Sequence, residues 1–187
     1  MKLIIASDLH GSAKYCRMLM DRINEENPDR VLLLGDILYH GPRNALPEEY
    51  APPLVAEMLN SIASRIICVR GNCDSEVDGM VLKFPVMNKS ALVADGNFIF
   101  TAVHGHHLDD GEVMSVYENA TVLYGHTHIP DNSVRNGVRY INPGSVSIPK
   151  ENSPHSYISY DNGIFVWKEI VSGKEYIPSK QSINILT

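Results

Sequence analysis

The sequence lacks long apolar runs and paired cysteines, and each absence excludes a class of protein. Its apolar runs reach about four residues, as at 31–34, whereas a membrane-spanning helix needs about 20. The run at 3–6 is likewise too short for the apolar region of a signal peptide. Three cysteines, Cys16, Cys68 and Cys73, are odd in number and show no CxxC spacing, which argues against a disulfide framework and a zinc knuckle. We therefore expect a protein of the reducing cytoplasm with no membrane span.

Blocks of basic residues are also missing. The 187 residues carry 16 Lys and Arg against 22 Asp and Glu, a net charge of −6. An acidic chain repels a polyphosphate backbone, so long nucleic acid is an unlikely partner, although a small anion could still bind at a local cationic centre. With 44% hydrophobic and 20% charged residues, the length predicts one globular domain over residues 1–187.

Hydrophobic periodicity predicts an α/β chain. Two strand–helix units come first: Ser12 is a candidate cap for a helix that ends at Asn27-Pro28, and a second helix opens at Pro52. Hairpins follow, which predicts an α/β sandwich of two packed mixed β-sheets flanked by helices. The predicted strands cover residues 2–6, 30–34, 66–70, 91–94, 98–103, 121–124, 133–136, 138–142, 157–160 and 164–168. The tail from Pro178 is expected to pack loosely.

Polar side chains of metal-ligand type follow five of these strands. They are Asp8, His10, Asp36, Asn72, His104, His126 and His128. Each is ordinary alone: Gly-Asp and Gly-Asn are turn pairs, and His126-Thr127-His128 by itself is a modest signal. Together they form a hard or borderline N/O donor set at the sheet edge where α/β sites form. Such a set could hold two divalent cations about 3.5 to 4 Å apart.

Five short motifs carry a family resemblance. They are Asp8-Leu9-His10, Gly35-Asp36, Gly71-Asn72-Cys73-Asp74, His104-Gly105-His106 and Gly125-His126-Thr127-His128. These motifs resemble the signature blocks of the calcineurin-like metallophosphoesterases. The segments 40–47, 69–78 and 142–150 resemble a bacterial phosphodiesterase group within that family, and the likeness extends from residue 2 to about residue 160.

The resemblance implies a two-metal phosphodiesterase with the αββα sandwich of the family. Asp8, His10, Asp36 and His128 would hold one cation. Asp36, Asn72, His104 and His126 would hold the other, so that Asp36 bridges. The mixed N/O set favours Mn²⁺, with Fe, Co, Ni or Zn as alternatives. A hydroxide shared by the two cations would attack phosphorus in line.

Charge makes a small soluble diester the expected substrate. Two dications, two carboxylates and one hydroxide leave a single positive charge, which suits a diester monoanion better than a monoester dianion.

Four further residues have candidate roles beside the ligands. Arg43 and His106 are candidate substrate contacts, and Asp74 is a candidate for orienting a ligand. Most relatives carry His where this chain has Cys73, and a thiol with a pKa near 8.5 is a poorer general acid than an imidazolium. Cys73 is therefore grouped with Asp36, Asn72 and His104 as catalytic, or else it is simply packed.

Two alternatives to a diesterase stay open at the level of the sequence. The same fold could serve as a protein-interaction scaffold, or the chemistry could be that of a nuclease. The long loop 40–53 carries apolar Leu46 and Tyr50 and leads into Leu54, which predicts a homo-oligomer. His40, His107 and His155 are expected to be surface or packing residues, and the turn 142–145 to pack beside residues 126–128.

Overall fold

The structure, a computed structural model, describes residues 1–108, 120–178 and 180–181. Its strands are β1 (Lys2–Ala6), β2 (Arg30–Leu33), β3 (Ile66–Cys68), β4 (Ser90–Asp95), β5 (Phe98–Val103), β6 (Thr121–Leu123), β7 (Asp131–Arg135), β8 (Val138–Asn142), β9 (Ser156–Asp161), β10 (Ile164–Glu169), β11 (Glu175–Tyr176) and β12 (Lys180–Gln181). Its helices are α1 (Ala13–Glu26), α2 (Pro52–Asn60) and the short α3 (Asp78–Val81), and a 3-10 turn spans Ala63–Arg65.

The strands form two six-stranded mixed sheets, which confirms the predicted fold class. The first sheet has the order β11-β10-β9-β1-β2-β3, and β1, β2 and β3 are parallel. The second has the order β12-β7-β8-β6-β5-β4, and β5, β6 and β8 are parallel. Within the tail, β12 pairs with β7. The predicted loose packing beyond it falls on residues outside the described part of the chain.

Helix α1 forms where the cap and the periodicity predict it. Ser12 accepts a hydrogen bond from the Tyr15 backbone N–H, and Leu19 and Ile23 lie fully buried on one face. Asn27 ends the helix in the left-handed conformation at φ 44°. The helix therefore covers one face of the first sheet.

The main core lies on both faces of the first sheet, because successive residues of a strand point to opposite sides. In β1, Leu3 and Ile5 pack between the sheets against residues of the second sheet such as Phe100. Ile4 and Ala6 face the helices. A smaller cluster around Val122 and Tyr124 lies in the second sheet. Among the described residues, no helix has the length and apolar character needed to cross a membrane.

Backbone hydrogen bonds join the loops that leave neighbouring strands. The His10 N–H donates to the Asp36 carbonyl at 2.9 Å, which joins the loops after β1 and β2. In the second sheet, the Gly125 N–H donates to the His104 carbonyl at 2.9 Å. Several strands also end one or two residues before their predicted ends, where the chain turns into these loops. The candidate site therefore rests on rigidly coupled loops.

Candidate metal centre

Five of the seven candidate ligands adopt the left-handed backbone conformation. Their φ angles are 58° at Asp8, 47° at His10, 55° at Asp36, 63° at His126 and 61° at His128. Residues other than glycine rarely adopt this backbone conformation, and each instance costs about 1 kcal/mol or more of conformational free energy. Such strain is typical of functional sites, where surrounding contacts hold the backbone in place.

The left-handed turns bring His126 and His128 to the same cluster. The His126 Nδ1 lies 2.7 Å from the Asn72 Oδ1, and the His128 Nε2 lies 3.3 Å from the Asp8 Oδ1. Neither histidine has extended backbone, so the left-handed turns, and not the alternation of a strand, direct both rings into the cluster.

Two glycines permit the close approach of these loops. A side chain at Gly71 would overlap the Asp36 carboxylate, and one at Gly125 would overlap the Ser7 hydroxyl and lie 2.9 Å from the Asp8 Oδ2. Any larger residue at these positions would push the ligands out of register.

Three histidines are oriented through their Nδ1 atoms. His10, His104 and His128 each donate Nδ1–H to a backbone carbonyl, at 2.8, 2.7 and 2.7 Å. A carbonyl only accepts, so each Nδ1 carries a proton, and the neutral form of each ring presents a bare Nε2 to the site. This arrangement is typical of metal-binding histidines.

The bare nitrogens meet around Asp8. The Nε2 atoms of His10 and His128 lie 3.2 Å apart, and the Asp8 Oδ1 lies 3.6 and 3.3 Å from them. That oxygen is buried and accepts no hydrogen bond from any described residue. Three electron-pair donors therefore converge on one point, which fits a divalent cation.

A second convergence lies on the other side of Asp36. The His104 Nε2 lies 3.0 Å from the Asn72 Oδ1 and 3.5 Å from the Asp36 Oδ1. The other Asp36 oxygen, Oδ2, lies 3.7 Å from the His10 Nε2, so one carboxylate borders both groups. These atoms form a second group of candidate metal ligands, and Asp36 borders both groups.

The electrostatics of the cluster favour charged carboxylate and neutral His126. Burial opposes the charge on Asp8, yet His10 and His128 hold the pKa of its carboxyl well below its ordinary value. Burial would lower the pKa of His10, but Asp8 and Asp36 raise it. Burial and the neighbouring His104 lower the pKa of His126 to about 4, which keeps that ring uncharged and able to bind a cation.

Cys73 lies closer to the ligands than the sequence indicates. Its sulfur and ligand atoms of His10 and Asp36 all lie within 4.8 Å of one another, and its backbone N–H donates to the Asp36 Oδ1 at 2.8 Å. The atoms that could bind a cation therefore include a sulfur at the edge of the cluster. The sequence predicted a set of nitrogen and oxygen ligands alone. Burial and Asp36 raise the pKa of the thiol to about 12, so it stays protonated.

Asp74 holds the loop that carries Asp36. Its Oδ2 accepts the backbone N–H groups of Asp36 and Gly71 at 2.8 and 2.6 Å, and its Oδ1 accepts that of Ile37 at 2.8 Å. Burial raises the pKa of Asp74, and the three N–H donors oppose that rise. The structure therefore gives Asp74 contacts to the backbone of a candidate ligand and not to its side chain.

The segment 142–148 supports the site from behind. The hydroxyls of Ser145 and Ser147 both donate to the Asp8 carbonyl, at 2.8 and 3.0 Å. The Asn142 side chain donates to the Gly125 carbonyl at 2.7 Å and to the Thr127 hydroxyl at 3.1 Å. These contacts place the turn beside residues 126–128.

A cleft of about 390 Å³ opens in front of the cluster. Its lining residues are Asp36, Gly41, Pro42, Arg43, Asn44, Asn72, Cys73, His126, Thr127, His128 and Lys150. Arg43 is thus at the cleft, whereas His106 lines a neighbouring cavity of about 230 Å³ that shares His126 and Thr127. Sequence reasoning did not assign Lys150 or Thr127 to the site, although both lie within stretches that carry the family resemblance, at 142–150 and 125–128.

Comparison with known proteins gives one family. Residues 1–162 match the calcineurin-like phosphoesterase superfamily domain. The chain is 44% identical to phosphodiesterase YfcE of Escherichia coli (strain K12) over 166 residues, which cover 88% of this chain and 89% of that protein. A solved structure of YfcE, described as a phosphoesterase from E. coli, aligns at 38% identity with a TM-score of 0.87 and covers 95% of this chain and 97% of that one.

A more distant solved structure shares the fold alone. Vps29 from Entamoeba histolytica, solved in complex with zinc, aligns at 20% identity with a TM-score of 0.62. The alignment covers 94% of this chain and 96% of that chain.

Proposed function

Since this chain belongs to the calcineurin-like phosphoesterase superfamily, and is thus a hydrolase of phosphate esters, we propose that it cleaves a small phosphodiester with two divalent cations. The seven residues at the sheet edge are the proposed ligands, divided as the family resemblance implies, with Asp36 shared. The carrying observation is the pair of convergences on either side of Asp36, where the Nε2 atoms of His10 and His128 face each other and the Nε2 of His104 faces the Asn72 Oδ1.

The proposed cations are Mn²⁺. Imidazole, carboxylate and amide donors suit Mn²⁺, although Fe, Co, Ni and Zn accept similar ligands. When bound, the cations would activate water as the nucleophile and stabilise charge on the phosphoryl oxygens. No side chain needs to act as a covalent nucleophile.

The chain's own residues orient and shield the site. Backbone carbonyls hold the rings of His10, His104 and His128 so that each Nε2 faces inward. Asp36 is held through its backbone by Asp74 and through its Oδ1 by the Cys73 N–H. A thiol with a pKa of about 12 keeps its proton at neutral pH, so Cys73 gives little help to a departing alkoxide.

Two cationic or polar residues are proposed substrate contacts. Arg43 lines the cleft in front of the cluster and offers a guanidinium fork to a phosphate oxygen. His106 lines the adjoining cavity with apolar Leu108 and Ile129, where the second ester arm would lie.

A diester is the proposed class because the charge balance of the site favours a monoanion, and because a 44% identical protein is named a phosphodiesterase. The sequence has no block of basic residues that would favour the nuclease alternative, and the net charge of −6 opposes binding of a polynucleotide. The scaffold alternative would leave the convergence of donor atoms without a purpose.

The test is an assay of metal-stripped and reconstituted protein. The enzyme is treated with chelator, and each divalent cation is added back separately. We expect hydrolysis of bis(4-nitrophenyl) phosphate to return with metal, highest with Mn²⁺, and kcat/KM for this diester to exceed that for 4-nitrophenyl phosphate. Higher kcat/KM for the monoester would contradict the diester assignment. Absence of hydrolysis with every metal, despite metal binding, would favour the scaffold.

A further inference from the structure

We propose that the substrate carries a second phosphate group besides the scissile diester, and that Arg43 and Lys150 bind this group in the cleft. The inference rests on the proposed diesterase function and adds the substrate class. It concerns the part of the cleft that lies beyond the candidate ligands.

Arg43 is distinguished by having no hydrogen-bond or ion-pair partner among the residues that the structure describes. Seven of the eight arginines donate to or pair with another described residue, and Arg43 is the exception. The seven and their partners are Arg17 with Glu49, Arg22 with Glu25, Arg30 with Asp29, Arg65 with Pro28, Arg70 with Asp74, Arg135 with Asp131 and Arg139 with Asn132. An exposed guanidinium that lines a cleft with its donors unused is suited to fork onto a phosphate.

The backbone around Arg43 is fixed against the site. The Asn44 side chain donates to the His40 carbonyl at 2.9 Å and closes the loop on either side of Arg43. Gly41 packs so near Cys73 that a side chain there would lie 2.9 Å from the sulfur. The guanidinium therefore extends from an anchored position.

Lys150 approaches from a different loop. Its backbone N–H donates to the His128 carbonyl at 3.2 Å, and its own carbonyl accepts from the Ser153 hydroxyl at 2.6 Å. The lysine is thereby tied to a candidate metal ligand. Its ammonium forms no ion pair with any described carboxylate.

Among the described residues that line the cleft, no free acidic group offsets these two cations. Asp36 is the one acidic residue among those lining the cleft, and its carboxylate already faces His10, His104 and the Cys73 N–H. A chain with net charge −6 thus places two unpaired positive charges beside its phosphoesterase site. The scissile diester monoanion leaves that charge uncompensated, and a further phosphate dianion would compensate it.

The space agrees with a ligand larger than one phosphoryl group. The cleft of about 390 Å³ lies within the range of small-molecule pockets, about 300 to 1,000 Å³. It therefore has room for an organic arm ending in a phosphate.

A matched pair of chromogenic diesters tests the proposal. The first is thymidine 5′-(4-nitrophenyl phosphate), and the second is the same diester with a 3′-phosphate. They share the scissile bond, leaving group and nucleoside and differ by one phosphate. We expect Mn²⁺-loaded enzyme to show about tenfold higher kcat/KM for the 3′-phosphorylated diester.

The variants assign the preference to the two cations. Arg43→Gln and Lys150→Gln should each lower it about threefold, and the double variant should abolish it. Arg30→Gln and Lys174→Gln are the controls, because Arg30 begins β2 at the end opposite the site and Lys174 lies in the turn before β11. Both controls should keep the wild-type preference.

A binding measurement gives a readout apart from turnover. Calorimetry with Mn²⁺-loaded protein should show tighter binding of thymidine 3′,5′-bisphosphate than of thymidine 5′-monophosphate, and the double variant should remove the difference. Equal kcat/KM for the two diesters in the wild type would overturn this inference and leave the diesterase function intact. Failure to hydrolyse either diester or bis(4-nitrophenyl) phosphate would overturn both.

Discussion

The carboxylate of Asp74 accepts the backbone N–H of Asp36 at 2.8 Å, so one acidic residue fixes the main chain of another at the centre of the site. Two more backbone N–H groups share the Asp74 carboxylate. Three donors on one buried carboxylate require both of its oxygens as acceptors.

Asp74→Asn should weaken metal binding without removing a proposed ligand. The amide NH₂ would face a backbone donor, so we expect a loss of about 1 to 3 kcal/mol in the free energy of unfolding. Metal affinity should fall about 10- to 100-fold, as measured by calorimetry. Asp29→Asn is the control, since Asp29 accepts a single backbone N–H from Lys2 on the surface. Unchanged metal affinity in Asp74→Asn would show that Asp36 does not depend on this support.

Asp36→Asn should have the largest effect on catalysis, because Asp36 borders both groups of donor atoms. We expect turnover of bis(4-nitrophenyl) phosphate to fall by several orders of magnitude and metal content, by elemental analysis, to fall below two per chain. Asp78→Asn is the control, because Asp78 is a buried acid that accepts the backbone N–H of Ser75. This variant should keep the wild-type turnover and metal content. Two bound metals and a near wild-type rate in Asp36→Asn would refute the bridging role.

Cys73→His should speed poor leaving groups selectively. An alkoxide leaves badly without a proton, whereas nitrophenolate needs little help, and general-acid catalysis contributes about 10²- to 10⁴-fold. The gain in kcat should therefore be larger for alkyl than for nitrophenyl diesters, and it should depend on a group that titrates near pH 6 to 7. Equal gains for both ester types, or loss of metal, would mean that Cys73 acts through packing or coordination.

Loop 40–53 should mediate self-association. Leu46 is 62% exposed and Leu54 is 47% exposed, whereas the Tyr50 ring packs on Gly11 and His40 and contributes less to the surface than the sequence suggests. We expect an oligomer by light scattering at micromolar concentration, and Leu46→Glu should shift it toward monomer. Leu92→Glu is the control, because Leu92 on β4 is 70% exposed, and this variant should not shift the oligomer toward monomer. A monomeric wild type would refute the prediction.

Glu26 should contribute stability that depends on pH. Burial opposes its charge, but hydrogen bonds from Ser159 and Tyr157 and the charge of Lys168 lower the pKa of its carboxyl. The unfolded chain therefore takes up this proton at higher pH than the folded one. The contribution is present above the ordinary pKa, about 4.3, and is lost as pH falls through the folded value.

Denaturation of Glu26→Gln against wild type measures that contribution. The difference in unfolding free energy should be full near pH 7 and should shrink on acidification below about pH 4. Glu25→Gln, at an exposed glutamate paired with Arg22, is the control and should show little difference. A constant difference at all pH values would exclude the charge as its source.

Local sequence signals were sufficient to predict the ends of the first helix and the hairpins. Ser12 and Asn27 mark the two ends of α1, because a cap and a left-handed terminator act within a few residues of the helix. The hairpins at Asn136-Gly137 and Asn162-Gly163 followed from turn preferences in the same way. Polar residues at strand ends indicated which edge of the sheets carries the site.

The finer features of the site depend on contacts distant in sequence. The left-handed backbone at His128 and the anchoring of Lys150 to its carbonyl arise from the folded loops, and neither residue type predicts them. The contacts of Asp74 with the backbone of Asp36 join residues 38 positions apart. Such relationships need the tertiary structure, because no periodicity or turn preference encodes them.

At the five candidate ligands with left-handed backbone, the geometry that the site needs lowers the stability of the fold. Glycine at His10 or His128 would relieve the backbone strain but would remove a side chain that the proposed site needs. The five aspartates and histidines held in this unfavourable conformation therefore mark positions where the chain gives up folding stability for the geometry of its site.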